Sequence, residues 1–446
     1  MKTAFYTLGC KLNFAETTAI GKQFKKEGFD VVNFDAEADV YVINTCTVTD
    51  MANKECRQVI RRAQRKNPYS YIIVTGCYAQ LKPEEIAKIE GVDLVLGSNE
   101  KFNLFDYTGD FKKKKSPSIF VTLTEEIDSF GVVFPDEAES AKGIVGRTRA
   151  FFKIQDGCDY KCAFCTIPKA RGRSRSLNPD ELLRQFRNLL KLEYKEIILT
   201  GVNIGDYGKQ FGKGFYDLLK ILSGQDGDYR IRISSIEPNL LTDEIIELCK
   251  TNSKICNHFH IPLQSGTDKI LKLMQRRYLS GEYEKLIRKL VKEIPNVSIG
   301  VDVITGFPGE TYDDFINTYN FIKDLPIAYL HTFTFSERED TKAVLMEGRV
   351  DPAERKKRNN MLRILSEKKK NQFYSSMAGK TVNVLFETGE TGTKDGKEKE
   401  YIKGFSSNYI RVKQRYQEGL ENSFEEVKLR RIDAGEYLVT GTEKGK

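Results

Sequence analysis

Short apolar segments alternate with helix-like segments in the first part of the chain, and this alternation restricts the possible fold more than any other feature. Each apolar segment is rich in β-branched or aromatic residues and indicates a buried strand. The predicted helices lie between these strands, at Asn13–Lys26, Asp50–Lys66 and Pro83–Ile89. Strands that alternate with helices predict a doubly wound parallel sheet, in which ligands bind at the carboxyl ends of the strands.

A cysteine follows each of three predicted strands. Cys10, Cys46 and Cys77 come directly after short apolar runs that end in Leu-Gly, Asn-Thr and Thr-Gly. Because the carboxyl ends of parallel strands meet at one edge of a sheet, the three thiols are predicted to converge on one metal site. The alternative is three unrelated small residues at tight turns, but one placement repeated three times argues against coincidence.

A second group of three cysteines lies close together in sequence. Cys158, Cys162 and Cys165 have the spacing C-x₃-C-x₂-C, with no fourth cysteine beside them. A structural zinc site takes four ligands and a four-iron cluster normally takes four cysteines, so three thiolates indicate a cluster with one iron open for a substrate. A zinc half-site and three buried structural cysteines are the alternatives. The other three cysteines lack either setting and are predicted to be ordinary buried thiols: Cys56, Cys249 and Cys256.

Cysteine usage also predicts the compartment. The chain has 9 cysteines, an odd number, and its first residues are too polar for the apolar core of a secretory signal. No apolar run approaches the roughly 18 residues needed to span a bilayer. We therefore expect a cytoplasmic protein that is not attached to a membrane, in which clustered cysteines bind metal rather than form disulfides.

At 446 residues, the chain is long enough for two or three domains. We predict a first α/β domain at 1–117, a connector at 118–143 that contributes a strand at Ser118–Leu123, a second domain at 144–377 and a small domain at 378–446. Six βα units in the second domain are too few to close an eight-stranded barrel and predict an open partial barrel. Alternating short strands separated by glycines predict a small antiparallel β-barrel in the last domain. The strands predicted in the second domain are Ala150–Gln155, Glu196–Thr200, Tyr229–Ser234, Asn257–Pro262, Val297–Ile304 and Ala328–Phe333.

With this domain order, the chain resembles the radical S-adenosylmethionine methylthiotransferases. The resemblance covers essentially the whole chain and is carried by residues 7–17, 43–49 and 170–176. In that family the first cysteine triplet holds an auxiliary [4Fe-4S] cluster, and the second holds the [4Fe-4S] cluster that binds S-adenosylmethionine. The C-terminal domain is similar to the TRAM domain, an RNA-binding module; a β-domain that only supports the fold is the alternative.

The resemblance also implies which residues contact S-adenosylmethionine. Most lie in runs that follow predicted strands of the second domain, and Phe164 lies between two ligand cysteines, where it would pack on adenine. Asn203 occupies the place of an acidic residue in the family's pattern. The three histidines are not expected to be metal ligands, because the cysteines suffice. The predicted cofactor-binding residues are Phe164, Gly201, Asn203, Ser234, Glu237, Gln264, Asp302 and Gly306.

Charge indicates a nucleic-acid partner. The formal net charge is +8, and basic residues cluster at Lys169–Arg175, at Arg355–Arg358 and at Lys368–Lys370. Such clusters bind phosphate by charge and counterion release, although a solvated face is the alternative for the last cluster. In the last domain, aromatic residues interleaved with basic ones suit an RNA surface. Those aromatic residues are Phe405, Tyr409 and Tyr416, and the basic ones are Lys403, Arg411, Lys413 and Arg415.

Within the family, the three motifs resemble most the branch that acts on N6-threonylcarbamoyladenosine at position 37, in the anticodon stem-loop of transfer RNA. The implied reaction replaces the C2 hydrogen of adenine with a methylthio group by radical chemistry, with no side chain acting as nucleophile. It implies two further partners, a sulfur donor and an electron donor such as flavodoxin or ferredoxin.

Other activities stay open at this point. The sister branches methylthiolate N6-isopentenyladenosine in transfer RNA or an aspartate of a ribosomal protein. Outside methylthiolation, the chain could be another radical enzyme, an iron–sulfur electron carrier, or a cluster- or zinc-stabilised RNA-binding protein without catalysis.

Overall fold

A computed structural model of the chain describes residues 1–47, 50–128, 130–131, 148–387, 401–433 and 437–439. These ranges form three sheets of six strands each when two short bridges are included, together with a separate two-stranded antiparallel pair in the central domain. Each six-stranded sheet has its own buried apolar cluster. The α/β class predicted from the sequence is confirmed. Within the described ranges, no helix combines the length and the apolar character needed to cross a membrane.

The N-terminal sheet is entirely parallel, with the strand order β2-β1-β3-β4-β5-β6. The connector strand predicted at Ser118–Leu123 is β6 and lies at the edge of this sheet, whereas the connector residues 132–143 lie outside the described residues. Strands β3 and β4 are buried on both faces, as the near-continuous apolar runs require. The strands are β1 (Lys2–Thr7), β2 (Asp30–Val32), β3 (Val40–Thr45), β4 (Tyr71–Gly76), β5 (Leu94–Leu96) and β6 (Ser118–Phe120). The helices are α1 (Lys11–Lys26), α2 (Asp50–Lys66), α3 (Cys77–Leu81), α4 (Pro83–Ala87) and α5 (Phe105–Thr108).

The central domain is a half-barrel of six parallel strands. Strands β7, β10 and β11 form one hydrogen-bonded group and β12, β13 and β14 another. Bridges from Ile231 to Ile255 and from Ser235 to His260 join the two groups. In the described residues β7 and β14 do not pair, so the barrel stays open, as predicted. The six strands of the half-barrel are β7 (Arg149–Lys153), β10 (Glu196–Thr200), β11 (Arg230–Ile233), β12 (His258–His260), β13 (Ser298–Thr305) and β14 (Tyr329–Thr334). Strands β8 (Gln155–Asp156) and β9 (Arg175–Ser176) form a separate antiparallel pair.

Helices cover the outside of the half-barrel. Their apolar faces pack on the strands and form the largest apolar cluster of the described residues. Ala19 of α1 belongs to the same cluster, and α1 packs beside β7 at the open edge of the barrel. The N-terminal domain therefore lies against the gap in the barrel wall. The helices are α6 (Ile167–Arg171), α7 (Pro179–Lys191), α8 (Phe215–Ser223), α9 (Asp243–Thr251), α10 (Asp268–Leu273), α11 (Ser280–Glu293), α12 (Tyr312–Asp324) and α13 (Pro352–Met377).

The C-terminal sheet has the order β18-β15-β16-β17-β20-β19 and is antiparallel except for the pair β17–β20. This sheet confirms the small antiparallel β-barrel class predicted for the last domain, and it is a half-barrel, because its edge strands β18 and β19 do not pair with each other in the described residues. The strands are β15 (Thr381–Phe386), β16 (Tyr401–Ser406), β17 (Arg411–Arg415), β18 (Phe424–Lys428), β19 (Arg431–Asp433) and β20 (Tyr437–Val439).

This C-terminal sheet closes the amino-terminal end of the central barrel, which we call the barrel floor. Arg230 and Arg232, on β11, donate hydrogen bonds to the carbonyl oxygens of Phe405, Ser406 and Ser407 at 2.8 to 3.1 Å. Both guanidinium groups also bind the buried carboxylate of Glu196, the first residue of β10. A buried carboxylate held by two arginines satisfies the charges that would otherwise destabilise this interface.

Candidate active site

The first cysteine triplet lies where the sequence predicts it. Cys10, Cys46 and Cys77 follow β1, β3 and β4, which are adjacent in the sheet. Gly9 has a φ of +96°, and a β-carbon there would lie 2.8 Å from the Cys46 sulfur. Gly76 has a φ of +97°, and a β-carbon would meet the Thr45 carbonyl oxygen at 2.4 Å. Only glycine suits both turns, so the glycines beside these cysteines are what allow the loops to approach one another.

Two of these thiols interact electrostatically. Cys10 is exposed to solvent, although the surrounding protein atoms partly desolvate its thiol. This desolvation raises the pKa of Cys10, the charge of Arg171 lowers it, and the Cys77 thiol contributes a smaller increase. Cys10 and Cys77 therefore share one neighbourhood with Arg171. A cation close to two thiols favours their thiolate forms, which are the forms that ligate metals.

The second triplet occupies a tightly held loop after β7. Gly157 has a φ of +68°, and a β-carbon there would lie 1.9 Å from the Arg173 carbonyl oxygen. The Cys158 amide donates to the Gly172 carbonyl at 3.1 Å, and the Ala163 amide donates to the Met274 carbonyl at 3.0 Å. The loop is thus fixed at both ends by backbone hydrogen bonds, which reduces its freedom around the three thiols.

Without a bound metal ion, burial keeps these thiols protonated. Burial, with a smaller contribution from neighbouring thiols of the triplet, raises the pKa of Cys158 and of Cys165 to about 12. Three thiols that influence one another's ionisation face a common space, and a metal ion would supply the charge needed to deprotonate them. No group of three His, Cys, Asp or Glu side chains in the described ranges is already arranged to hold a metal ion. The donor set fits a cluster in chemistry and location, while the sulfur positions would have to adjust to bind one.

Arg276 is the polar neighbour of this triplet. Its Nη1 donates to the Cys162 sulfur at 3.3 Å, and its Nη2 binds the carboxylate of Glu237. Hydrogen bonds to cluster sulfurs are one of the means by which proteins set a cluster's potential. Glu237 is among the predicted cofactor-binding residues, and this contact brings it to the triplet.

Arg171 connects the two triplets. It ends α6, shortly after Cys165, and its side chain crosses to α1, which begins beside Cys10. Its guanidinium donates to Asn13 Oδ1 at 2.6 Å, to Glu16 Oε1 at 2.8 Å and to Asp156 Oδ1 at 3.1 Å. Asn13 in turn donates to the carbonyl oxygens of Leu8 and Thr45, which precede Cys10 and Cys46. One buried arginine therefore holds the loops of both triplets.

The charges around Arg171 form a buried network. Lys101 and Lys153 lie 2.9 and 3.6 Å from Glu16, and Lys153 also pairs with Asp156 at 2.7 Å. Although burial alone would raise it, these cations and Arg171 lower the pKa of Glu16 to about 2. Burial lowers the pKa of Lys153 to about 8. Three buried cations face two carboxylates, so the network carries excess positive charge between the two triplets, which suits an anionic thiolate-ligated cluster on either side.

The other predicted cofactor-binding residues lie at the carboxyl ends of the barrel strands or beside the second triplet. Asn203 and Gln264 are buried, and among the described residues Asn203 Oδ1 and Gln264 Oε1 have no hydrogen-bond partner. Ser234 ends β11 and Gly201 follows β10. Phe164 is partly buried and lies edge-on to Phe307, with ring centroids 6.3 Å apart. Buried acceptors without partners are what a bound molecule with amino and hydroxyl donors would satisfy.

Two residues of that predicted set have partners within the chain. Asp302 binds His260 Nε2 at 2.9 Å, within the concave face of the half-barrel. Gly306 has a φ of +75°, and the aliphatic part of Arg355 covers it, because a β-carbon would lie 2.2 Å from Arg355 Cγ. Gly306 lies at a glycine turn, as predicted, but its α-carbon contacts the Arg355 side chain.

Comparisons with known proteins agree with this geometry. The profile of the Radical SAM superfamily matches residues 152–322, and that of "Uncharacterized protein family UPF0004" matches residues 2–97. A "Threonylcarbamoyladenosine tRNA methylthiotransferase MtaB" from Bacillus subtilis (strain 168) is 41% identical over 92% of this chain and 89% of its own length. A "tRNA-2-methylthio-N(6)-dimethylallyladenosine synthase" from Syntrophus aciditrophicus (strain SB) is 32% identical over 85% of this chain and 82% of its own.

The chain belongs to the radical S-adenosylmethionine methylthiotransferase family. Among solved structures, the radical S-adenosylmethionine methyltransferase TsrM from Kitasatospora setae, with cobalamin and a [4Fe-4S] cluster bound, has a TM-score of 0.54. It is 14% identical, over 77% of each chain. At this identity the likeness supports the fold alone.

For this methylthiotransferase the structure corrects part of the predicted RNA surface. Phe405 is buried, and Tyr409 packs on it and on His258, with ring centroids 4.9 and 4.7 Å apart. These two rings face the barrel floor, where the guanidinium groups of Arg149 and Arg232 lie 4.4 and 4.8 Å from the ring centroids of Phe405 and Tyr409. Tyr416 is 41% exposed, and Lys403, Arg411 and Arg415 are exposed as well, so the open part of this surface comprises basic residues of β16 and β17 and the tyrosine that follows β17.

The predicted basic clusters also contain both buried and exposed residues. Arg171 is buried in the network, and Arg175 is bound by two carbonyl oxygens and by Asp156, so neither faces RNA. Arg173 lies between them and is exposed. In the α13 cluster, Arg355 and Arg358 are buried while Lys356 and Lys357 are exposed, and Lys369 is buried against two carbonyl oxygens. The helical period alone accounts for this alternation.

The sequence did not predict several of the polar contacts around the two cysteine triplets. Asn13 and Glu16 lie in the first matching motif, but only the fold shows that they meet Arg171. Arg276 lies in a Gln-Arg-Arg-Tyr run that has no recognisable metal-ligand spacing. A polar residue one helical turn after a cluster cysteine, such as Asn13, is the one signal that could have indicated a second layer of contacts.

Proposed function

We propose that this chain methylthiolates C2 of N6-threonylcarbamoyladenosine at position 37 of transfer RNA. The observation that carries the proposal is the placement of the two cysteine triplets, both beside Arg171, at the carboxyl ends of strands in two adjoining α/β domains. One cluster then lies within reach of a molecule bound at the other. The 41% identical relative that bears the name of this activity supports the choice of substrate.

Cys10, Cys46 and Cys77 would hold the auxiliary [4Fe-4S] cluster, and Cys158, Cys162 and Cys165 the cluster that binds S-adenosylmethionine. When bound, these groups supply the radical that removes hydrogen from the base and the sulfur that replaces it. The protein's own part is to position and shield. Arg276 would orient Cys162, and the unpartnered oxygens of Asn203 and Gln264 would accept hydrogen bonds from S-adenosylmethionine.

The remaining partners follow from the reaction. The base would leave its stack in the single-stranded anticodon loop, where extrusion costs little. Exposed basic residues near the second triplet, Lys161, Arg173 and Arg277, would meet the phosphates of the loop. The enzyme would work in the cytoplasm, with an electron donor such as flavodoxin or ferredoxin and a separate donor of sulfur.

The proposal is tested with purified chain carrying reconstituted clusters, under anaerobic reducing conditions with S-adenosylmethionine. Three substrates are compared: transfer RNA with threonylcarbamoyladenosine, transfer RNA with isopentenyladenosine, and ribosomal protein. Mass spectrometry of digested nucleosides should show the methylthio derivative of the first. Modification of the second RNA alone would place the chain in the sister branch, and modification of neither RNA would refute the proposal.

A further inference from the structure

Lys11 is a half-buried cation whose position the mechanism above does not use. It is the first residue of α1, directly after Cys10. Its ammonium group forms no hydrogen bond or ion pair with any side chain in the part of the chain that the structure describes. A cation that is partly removed from water and has no anionic partner is unfavourable, so such a residue needs an explanation.

Lys11 begins α1, and it lies within electrostatic range of titratable side chains on all six strands of the half-barrel. Together with the packing of α1 on β7, this indicates that its side chain extends into the curve of the sheet. α1 packs beside β7 at the gap in the barrel wall, which gives the side chain its way in. These neighbours are Arg149 on β7, Glu196 on β10, Arg232 on β11, His258 on β12, Asp302 on β13 and His331 on β14.

The two anions near Lys11 already have closer partners. Glu196 accepts hydrogen bonds from Arg230 and Arg232 at 2.6 to 2.9 Å. Asp302 binds His260 at 2.9 Å. The lumen therefore contains a cation whose anionic partner the described residues do not supply, directly after Cys10, a proposed ligand of the auxiliary cluster.

We propose that Lys11 binds the carboxylate of the threonylcarbamoyl group on the substrate adenosine. This inference rests on the proposed function and adds a specificity-determining residue to it. The group at N6 ends in a threonine carboxylate, the one formal negative charge on the modified base. An isopentenyl group at the same place would leave Lys11 buried beside hydrocarbon, so one residue both attracts the acid and disfavours the neutral group.

The test uses the full chain with reconstituted clusters and two anticodon stem-loop RNAs. One RNA carries threonylcarbamoyladenosine, and the other carries the same group with its carboxylate converted to the primary amide. Lys11→Met removes the charge and keeps the length of the side chain, and Lys11→Arg keeps the charge. Lys26→Met, at the exposed end of the same helix, is the matched control. Iron content is measured for every variant, because Lys11 adjoins a proposed cluster ligand.

We expect Lys11→Met to lower kcat/KM for the acid RNA by about 10- to 100-fold, as the loss of a charged hydrogen bond predicts, and to leave the amide RNA nearly unaffected. Lys11→Arg should restore much of the preference for the acid. An equal loss on both RNAs, or no loss on either, would overturn the inference. If the unaltered enzyme fails to modify the acid RNA at all, the proposed function itself is wrong, which is a separate result.

If Lys11→Met loses iron, the proposal is tested instead by measuring RNA binding to the iron-free chain. Fluorescence anisotropy of the labelled acid and amide RNAs should show tighter binding of the acid by the unaltered chain and no difference for Lys11→Met. A preference for the acid that survives in Lys11→Met would show that another group binds the carboxylate, or that Lys11 contacts only RNA phosphate.

Discussion

Replacing Arg171 with Met tests whether the buried network holds the two cysteine loops together. Arg171 is 1% exposed and makes four hydrogen bonds to Asn13, Glu16 and Asp156. Breaking a buried charge pair costs about 3–5 kcal/mol when the remaining charge has no other partner. Here Lys101 and Lys153 still face the two carboxylates, so we expect a loss near the lower limit, about 3 kcal/mol.

The assay is thermal unfolding of the iron-free chain, with Arg173→Met as control because Arg173 is exposed two residues away. A loss of about 3 kcal/mol in a unit of roughly 200 residues lowers Tm by about 6–12 °C. In the reconstituted enzyme, the same variant should make deoxyadenosine with less methylthiolated product for each turnover, because the two loops lose their common anchor. A Tm within error of the control, together with an unchanged ratio of products, would refute this reasoning.

Three further predictions concern the clusters and the barrel floor. Cys158→Ala should abolish formation of 5′-deoxyadenosine while the auxiliary cluster remains, and deoxyadenosine formed under reducing conditions would contradict the assignment. Cys10→Ala should remove about four irons per chain and stop sulfur insertion but leave deoxyadenosine formation, whereas full iron content would contradict it. Glu196 has a pKa held well below its ordinary value of 4.5 by Arg232 and Arg230, despite burial that would raise it, so its stabilisation is present above that pH and lost as the pH falls. The stability difference between the unaltered chain and Glu196→Gln should therefore shrink between about pH 5 and about pH 3, and a difference that stays constant would contradict it.

The strands of both α/β domains could be predicted because their signal is local. Glu196–Thr200 was predicted and found at the same residues, and the predicted Val297–Ile304 is found at Ser298–Thr305. A buried parallel strand appears in sequence as a continuous apolar run between turn residues, and the pattern needs no information from elsewhere in the chain. The positions of Cys10, Cys46 and Cys77 followed from the same pattern, because each comes directly after such a strand, whereas the second triplet was recognised by its spacing.

The sequence did not reveal the contacts between domains. Nothing near Arg171 indicates that it is buried, since a run of arginines beside an active site is also typical of an RNA surface. Phe405 and Tyr409 alternate with basic residues as they would on an RNA-binding sheet, yet they cover the barrel floor. In both cases the local pattern fits two environments, and only the docking of one domain on another decides between them.

The hydrogen bonds at the barrel floor have a consequence for how the C-terminal domain can change over evolution. Arg230 and Arg232 donate to backbone carbonyl oxygens, which every residue type provides. These three hydrogen bonds therefore do not depend on the side chains of residues 405–407, as long as the turn keeps its path. The appended sheet adds side-chain contacts of its own, such as Ser407 Oγ to Asn257 Oδ1 at 2.7 Å and Glu387 to Arg149 at 2.5 Å, so its docked face is constrained while its outer face is free to diverge toward different RNAs.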